Sequence, residues 1–409
     1  MSARRRCFFL NRFYWPEEPA TGQLLADLAS ALAATGLAVT VIASAPAHPK
    51  VPRCETHRGV EIRRIHTPRL GGRGAFARVF DWGAFSLAAL WRIWREVRSG
   101  DTVVLLTDPP LFAIAAAPLA RRRGARVIHY VQDIYPELAE VLNGARGLGW
   151  LRTLRDRSWR RADACVVLGR DMAALLAVRG VNPARLRVIP NWVPEGLAPA
   201  SATTIAQVRT RWGLADRFVV AYAGNLGRVH DLDPVLAVAA TLQSVPEYVF
   251  LFIGDGAQRP KLESLARARG LDNVRFLPHQ PRAELAACLG AADVHLVTLR
   301  TGCEALVFPS KLYGIAAVGR PVLFIGPLGC ELAQQIQSAT MGRAFAREDT
   351  VGIAQCLQHW RQHPATHAAL TRGAAAFALA TGGLPRAAAA WRDLLTETRH
   401  PPASAPSRL

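Results

Sequence analysis

Short apolar runs rich in Val, Ile and Phe alternate along this chain with longer segments in which apolar residues recur every three or four positions. The short runs are typical of buried strands, and the longer segments are typical of amphipathic helices. Regular alternation of the two predicts βαβ units and a mainly parallel sheet. The predicted strands are Cys7–Leu10, Val39–Ala43, Val60–Ile65, Thr102–Leu106, Val127–Val131, Ala164–Leu168, Leu186–Ile189, Phe218–Ala223, Tyr248–Ile253, Val274–Phe276, Val294–Val297, Val322–Phe324 and Gly342–Phe345.

The same scheme occurs twice, and a Pro-, Gly- and Ala-rich segment at Asn191–Ser201 separates the two halves. Such a composition favours an interdomain linker. We therefore expect an α/β fold of two Rossmann-like domains whose parallel sheets face a central cleft. The predicted division is 1–192 for the N-terminal domain, 193–215 for the linker, 216–395 for the C-terminal domain and 396–409 for a disordered tail. The predicted helices are Gly22–Ala34, Phe85–Val97, Met172–Arg179, Asp233–Leu242, Gln258–Ala268, Arg282–Leu289, Lys311–Val318 and Val351–Arg361.

The net charge of the chain bears on its possible binding partners. The 409 residues carry a formal net charge of +19. Nucleic-acid binding, attraction to anionic lipid or phosphorylated substrate, and a general bias toward arginine would each produce such a charge. The arginines are scattered and form no compact basic block with interleaved aromatic residues, which argues against a nucleic-acid partner. The segment from Arg69 through Arg73 and Arg78 to Trp91 and Arg95 could rest on anionic lipid, or it could bury its apolar stripe in a core.

No targeting or membrane-spanning segment is predicted. The apolar core near the start stops after Leu10, which is too short for a signal peptide, and Asp108-Pro109-Pro110 breaks the run from Val103 to Ala120. We therefore expect a cytoplasmic protein. Seven cysteines at irregular spacing predict reduced thiols. No metal site is predicted, because Pro364 interrupts the helix that would align the repeated histidines after His359.

The strongest candidate for chemistry is the segment Glu304–Gly314, which joins two predicted strands. Open α/β folds bind ligands at the carboxyl ends of such strands. Ser310 and Lys311 begin the predicted helix there, and free backbone N–H groups and the helix dipole favour a phosphate at that position.

Further candidates follow other strands. Gly224 and Gly227 with Arg228, and the pair Gly254 and Gly256, come directly after strands and suit either a phosphate cradle or a tight turn. Gly22 similarly lets a ligand approach the backbone, although many strand–helix loops contain such a glycine. Asp133 ends another strand, where it could accept a proton or only cap the next turn.

Taken together, these motifs resemble family 4 of the retaining glycosyltransferases, which have the GT-B fold and use sugar nucleotides. The subgroup that they resemble makes capsule, colanic-acid and O-antigen repeat units. The resemblance covers Cys7 to Leu395. Its carriers, in order, are Val131-Gln132-Asp133, Ile189-Pro190-Asn191, Tyr222–Arg228, Ile253–Gly256, Val274–Pro278 and Phe308–Pro321.

The resemblance implies that the C-terminal domain holds a UDP- or GDP-sugar and that the N-terminal domain receives the acceptor. It implies that Asp133 lies near the reacting sugar and Gly22 near the donor phosphates. The residues that it implies for the donor are Gly224, Asn225, Gly227, Arg228, Ser310 and Lys311 at the pyrophosphate, Gly254 and Gly256 in the same pocket, and backbone near Phe276 and Pro278 beside the base.

The chain departs from this family at two places. Many members carry two glutamates eight residues apart in the donor site, and the equivalent positions here are Leu306 and Gly314. Glu304 stands two residues from the first and is the candidate ligand of the sugar hydroxyls. His230 stands where many relatives carry a phosphate-neutralising lysine, which leaves more of that charge to Lys311 and Arg228.

The expected reaction is transfer of a hexose, N-acetylated or deoxy, to an acceptor on undecaprenyl diphosphate at the inner membrane face. The predicted catalytic residues are Asp133, Glu304 and Lys311. No metal or other cofactor is expected, because cations and helix amides can stabilise the leaving diphosphate. Two alternatives stay open: a GT-B sugar-nucleotide epimerase, and a non-catalytic scaffold in polysaccharide assembly.

Overall fold

A computed structural model describes residues 6–17, 19–46, 51–67 and 75–397, and the tail predicted at 396–409 lies almost wholly outside this part. The first sheet has eight strands in the order β3-β4-β2-β1-β5-β6-β7-β8. All pairs are parallel except β3 with β4. The strands are β1 (Arg6–Leu10), β2 (Ala38–Ser44), β3 (Cys54–His57), β4 (Val60–Ile65), β5 (Thr102–Leu105), β6 (Arg126–Val131), β7 (Ala164–Val167) and β8 (Leu186–Val188).

The second sheet has six parallel strands in the order β11-β10-β9-β12-β13-β14. The strand order reverses beside β9, so the carboxyl end of β9 lies at the switch point where such sheets bind ligands. The strands are β9 (Phe218–Ala223), β10 (Tyr248–Ile253), β11 (Val274–Leu277), β12 (Val294–Thr298), β13 (Val322–Ile325) and β14 (Gly342–Phe345).

Helices connect the strands in both halves, so the α/β prediction is confirmed. They are α1 (Ala20–Ala34), α2 (Ala75–Glu96), α3 (Ala113–Arg122), α4 (Glu137–Asn143), α5 (Gly149–Arg160), α6 (Arg170–Val178), α7 (Ala202–Arg211), α8 (Asp233–Thr241), α9 (Arg259–Ala268), α10 (Leu285–Gly290), α11 (Lys311–Ala317), α12 (Glu331–Ser338), α13 (Thr350–Gln362), α14 (Pro364–Ala380) and α15 (Gly383–Thr396). Short 3₁₀ turns cover Pro183–Arg185 and Arg282–Glu284.

The last helix, α15, lies almost wholly within the range predicted for the C-terminal domain, 216–395, but it packs on the first sheet. Trp391 of α15 lies 6.0 Å from Phe9 and 4.9 Å from Tyr130, measured between ring centroids. All three rings are buried. Helix α7, in the predicted linker, packs on α10 of the second domain. In both cases an apolar helix face packs where matching apolar surface is available, whatever its place along the chain.

Two contacts fix the domains against each other beside the cleft. Helices α6 and α12 cap one another, because the Glu331 carboxylate accepts the Arg170 N–H and the Asp171 carboxylate accepts the Glu331 N–H at 2.7 Å. The Ile134 N–H also donates to the Leu306 carbonyl at 2.9 Å. The loop after β6 is thereby joined to the loop after β12.

All seven cysteines are free, as predicted, and only Cys54 is exposed. Among the described residues, no helix combines the length and apolar character that a membrane crossing requires.

Candidate active site between the two domains

A cavity of about 210 Å³ lies between the domains at the carboxyl ends of β9 and β10. The second domain contributes the ends of those strands, the first turn of α11 and part of α10. The first domain contributes one face of α1, and the linker contributes Trp192 and Pro194. The lining residues are Ala20, Gln23, Leu24, Asp27, Trp192, Pro194, Ala223, Gly224, Ile253, His279, Gln280, Leu285, Cys288, Leu289, Ser310, Lys311, Gly314 and Ile315.

Lys311 is the most unusual residue of this cavity. Its ammonium nitrogen is buried and has no hydrogen-bond partner in the described part of the chain. It lies 3.4 Å from the centroid of the Tyr222 ring, which compensates only part of the lost hydration. Burial accordingly holds the pKa of Lys311 well below its ordinary value. A buried cation without a counter-ion is costly, and it indicates a place for an anion.

The choice of lysine at this position is itself informative. The chain has 50 basic residues, and Lys50, Lys261 and Lys311 are its only lysines. An arginine keeps its charge in any protein environment, whereas a buried lysine can release its proton while the site is empty. Lys311 can therefore be neutral in the free protein and charged beside an anion.

Two glycines hold the turn that faces Lys311. Gly254 has φ +127°, and a Cβ there would overlap the carbonyl oxygen of Gly224. At Gly256 a Cβ would lie 2.6 Å from the backbone nitrogen of Leu226. The Leu226 N–H in turn donates to the Asp255 carbonyl at 2.9 Å. Gly254 and Gly256 thus lie behind the turn and let two loops touch, while Gly224 lines the cavity.

The Gly254→Ala variant is expected to lower stability by about 2–4 kcal/mol, because it combines a strained positive φ with a backbone overlap. Gly270→Ala is the matched control, since Gly270 also has positive φ (+62°) but its added Cβ would meet no atom within 4 Å. That control is expected to cost about 1 kcal/mol. Thermal melting compares the two variants, and equal losses would show that the overlap has no importance.

His230 does not supply a positive charge to the site. Its Nδ1 lies 2.7 Å from the Thr298 carbonyl, which can only accept, so Nδ1 carries the proton. Burial, and then the Lys311 charge, lower the pKa of His230 to about 3. The ring is therefore neutral at pH 7, and its role is to support the turn against β12.

Among the other residues predicted at the donor, Arg228, Asn225 and Gly227 do not line the cavity. Ser310 lines it, and its hydroxyl makes no capping bond to α11. Arg228 is exposed and donates to the Asn143 side chain of the first domain at 2.6 Å, so it bridges the cleft. Asn225 accepts the Tyr222 hydroxyl on its carbonyl at 2.8 Å. Gly227 accepts the side-chain amide of Gln258.

Gly22, Phe276 and Pro278 also lie outside the cavity lining. Gly22 is inside α1, where its N–H donates to the Pro19 carbonyl and a Cβ would press on Phe13 at 3.2 Å. Phe276 stacks on Phe252 at 5.0 Å, and Pro278 is exposed. Their contact with a donor stays a prediction, and the wall nearest to them is formed by His279 and Gln280 instead.

Asp133 lies at the junction of the domains. It forms an isolated antiparallel bridge with Val307, and its N–H donates to the Thr107 hydroxyl at 3.3 Å. In the described part of the chain, no hydrogen bond or ion pair engages its carboxylate. Burial, and then the neighbouring Asp108 carboxylate, raise the pKa of Asp133 to about 6. Asp108 itself is paired with Arg12 at 2.8 Å.

Glu304 is half-buried on the loop that carries Val307. Its Oε1 accepts the Gly302 N–H at 3.0 Å, so the carboxylate caps its own turn. The bridge between Asp133 and Val307 therefore brings the loops of two predicted catalytic carboxylates together from different domains.

Asp27 lines the cavity although it is not among the residues predicted from the sequence. It is buried on α1 and lies 3.5 Å from the Arg282 guanidinium of the second domain. Burial raises the pKa of Asp27, and Arg282 partly opposes this effect. A signal was present, because Asp27 is a carboxylate between Leu24, Leu25 and Leu28 on the apolar face of a predicted helix.

Comparison with known proteins identifies the two domains. Residues 21–192 match the model of the glycosyl transferase 4-like domain, and residues 206–355 match that of glycosyl transferases group 1. The chain is 27% identical over 342 residues to the putative colanic acid biosynthesis glycosyl transferase WcaI of Escherichia coli K12, covering 78% of this chain and 83% of that one. It is 30% identical over 299 residues to the probable glycosyltransferase WbjE of Pseudomonas aeruginosa, covering 72% and 73%.

A solved structure shows the same fold. The Anabaena protein HepE in complex with UDP-glucose superposes with a TM-score of 0.73 over 96% of this chain and 99% of that one, at 14% identity. With two matched domains and a relative at 30% identity, the chain belongs to the glycosyltransferases that join a 4-like domain to a group 1 domain in the GT-B fold.

Proposed function

We propose that this enzyme moves a hexose, N-acetylated or deoxy, from a nucleotide-diphosphate sugar to a lipid-linked or saccharide acceptor, with retention of configuration. The process would be synthesis of a cell-surface polysaccharide at the cytoplasmic face of the inner membrane. The name of WcaI, a putative colanic acid biosynthesis enzyme, and the UDP-glucose complex of HepE support the class of process and of donor.

The observation that carries the proposal is the unpartnered ammonium of Lys311 in the interdomain cavity. When the bond from the sugar C1 to the β-phosphate oxygen breaks, the electron pair leaves with the nucleotide diphosphate. A cation held in a site shielded from water stabilises that charge far more than it would in solution. Lys311 meets this requirement, and Ser310 lies beside it as a further donor.

The acceptor would enter from the side of Asp133. The hydroxyl oxygen of the acceptor forms the new bond to C1, and the proton of that hydroxyl group must leave. A carboxylate with a pKa of about 6 is largely ionised at pH 7 and can orient or accept that proton. Glu304 uses only Oε1 in its turn, and the other oxygen is the candidate ligand of the sugar hydroxyls.

The test begins with the thermal melting of the full chain in UDP-, GDP- and dTDP-sugars, because a ligand that binds the native state raises the melting temperature. The sugar nucleotide that does so is then incubated with and without membrane extract containing lipid-linked saccharides. We expect nucleoside diphosphate release that depends on the acceptor and a labelled lipid product. Release and free sugar without an acceptor would favour the epimerase, and a melting shift without any turnover would favour the scaffold.

A further inference from the structure

Helix α2 presents apolar residues on two opposite faces. Its inner face buries Phe85, Ala89 and Ile93 against the first sheet. Its outer face exposes Phe80, Leu87, Trp91 and Trp94, with 72% of Leu87 and 58% of Trp94 accessible to solvent. The spacing of seven, four and three residues places these four side chains on one stripe about 21 Å long. A core helix needs only the inner face, so the outer stripe is unexplained by the fold.

Helix α5 adds to the same surface. The connections β4 to β5, β5 to β6 and β6 to β7 all progress in one direction along the sheet. Right-handed crossovers therefore place α2, α3 and α5 on one face, with α3 in contact with both neighbours. Helix α5 exposes Trp150, at 63%, and Leu154.

The charged side chains of this layer that are exposed, rather than half-buried, have a single sign. In the described part of α2, α3 and α5, every exposed charged side chain is an arginine: Arg95, Arg122, Arg157 and Arg160. The acidic residues are less exposed, and Asp81 and Glu96 are half-buried. Glu96 pairs with Arg92, and Asp156 is buried against Arg155. Arg95 lies over the Trp91 ring at 5.1 Å, and Arg98 is exposed just beyond α2.

We propose that the outer faces of α2 and α5 form a platform that docks the N-terminal domain on an anionic lipid bilayer. Tryptophan prefers the boundary between headgroups and acyl chains, where its ring is buried and its N–H stays hydrated. Arginines beside it are attracted to anionic headgroups, each by about 1 kcal/mol. The exposed apolar stripe and the uniformly positive rim are both required for this partner, and both are present on one face.

The platform extends the proposed function, since it would hold the enzyme beside a lipid-linked acceptor, but its binding to lipid needs neither donor nor acceptor. The two proposals can therefore fail separately. Vesicle binding without nucleotide tests the platform, and the melting shift with a sugar nucleotide tests the donor site.

The experiment is co-sedimentation of the full chain with sucrose-loaded vesicles of phosphatidylcholine alone, or with one third phosphatidylglycerol. We expect binding to the anionic vesicles that weakens as salt rises. The double variant Trp91→Ser/Trp94→Ser is expected to lower the partition coefficient between vesicles and water to about one tenth of the wild-type value or less. Arg95→Glu/Arg98→Glu is expected to do the same on anionic vesicles only.

Matched controls come from the second domain. Leu379→Ser removes an apolar side chain that is 82% exposed on α14, and Arg267→Glu/Arg269→Glu reverses two exposed charges near the end of α9. Both are expected to bind vesicles like the wild type. All variants should keep the wild-type melting temperature and its shift with donor, because the substituted side chains are on the surface and away from the cavity.

Equal binding to neutral and anionic vesicles, or wild-type binding by the tryptophan variant, would overturn the platform. So would a concentration-dependent dimer in ultracentrifugation that Trp91→Ser/Trp94→Ser abolishes without any effect on vesicle binding. That result would assign the stripe to a second copy of the chain.

Discussion

The Lys311→Met variant is expected to lose kcat/KM by about 10²–10³-fold, the cost of removing one preorganised group from a developing oxyanion. Methionine keeps the volume and unbranched shape of the side chain but carries no charge. The cavity should therefore remain, while the nucleotide diphosphate loses its buried counter-ion. Donor affinity is expected to fall together with turnover, since ground-state donor and leaving group both carry the diphosphate.

The thermal stability of the donor-free Lys311→Met variant is expected to stay the same or to rise, although its activity falls. The pKa of Lys311 is lowered on folding, so the unfolded chain binds more protons between the two pKa values, and stability from this residue rises with pH in that window. Below it, the folded protein bears a buried, unpaired charge. Lys311→Met removes that cost, so the free variant should melt at the wild-type temperature or above it, and the rise induced by donor should disappear.

The wild-type enzyme is expected to take up protons when it binds its donor. The diphosphate raises the depressed pKa of Lys311, so the complex holds more protons than the free species at pH values between the free and bound pKa. Calorimetric titrations in HEPES and Tris, which differ in ionisation enthalpy, measure this uptake. Lys261→Met is the control, because Lys261 is exposed and paired with Asp233. Donor binding by Lys311→Met with wild-type affinity would refute the assignment.

The Asp133→Asn variant is expected to lose turnover by about 10²–10⁴-fold, the usual range for a positioned acid or base. Donor binding should change little, because Asp133 belongs to the first domain and does not line the cavity that contains Lys311. The loss should therefore fall on kcat, with the melting shift by donor retained. Asparagine has nearly the shape of aspartate and keeps the backbone bridge to Val307.

The pH profile separates a functional role of Asp133 from a structural one. Its pKa is about 6 in the folded protein, so kcat/KM of the wild type should fall as pH falls through about 6. Because this folded pKa is raised above the ordinary value, the ionised form destabilises the fold at higher pH. Asp133→Asn should accordingly be as stable as wild type at pH 7, or more so.

Asp108→Asn provides the second measurement. The Asp108 carboxylate is one cause of the raised pKa of Asp133, so its neutralisation should move the acidic limb of the profile to lower pH. An unchanged limb in Asp108→Asn, or a wild-type profile in Asp133→Asn, would remove Asp133 from the proton transfer. A loss of melting temperature parallel to the loss of activity would indicate only structural damage.

Much of the fold could be predicted because its determinants are local. All thirteen predicted strands occur within one residue of the expected bounds, since buried parallel strands appear as short, continuous apolar runs. Strand β3 (Cys54–His57) was missed because it lies at an exposed sheet edge and has no apolar run. Helices α3, α4, α5, α7, α12, α14 and α15 were not predicted.

The sequence by itself determined two α/β domains, and it predicted an anion site after β12 with Lys311 as its cation. These follow from periodicity and from residue types at strand ends. Only the tertiary structure decided that Lys311 is buried without a partner, that His230 is neutral, and that Asp133 meets the loop of Glu304. Burial and pairing depend on residues brought together from distant parts of the chain, and no spacing along the sequence encodes them.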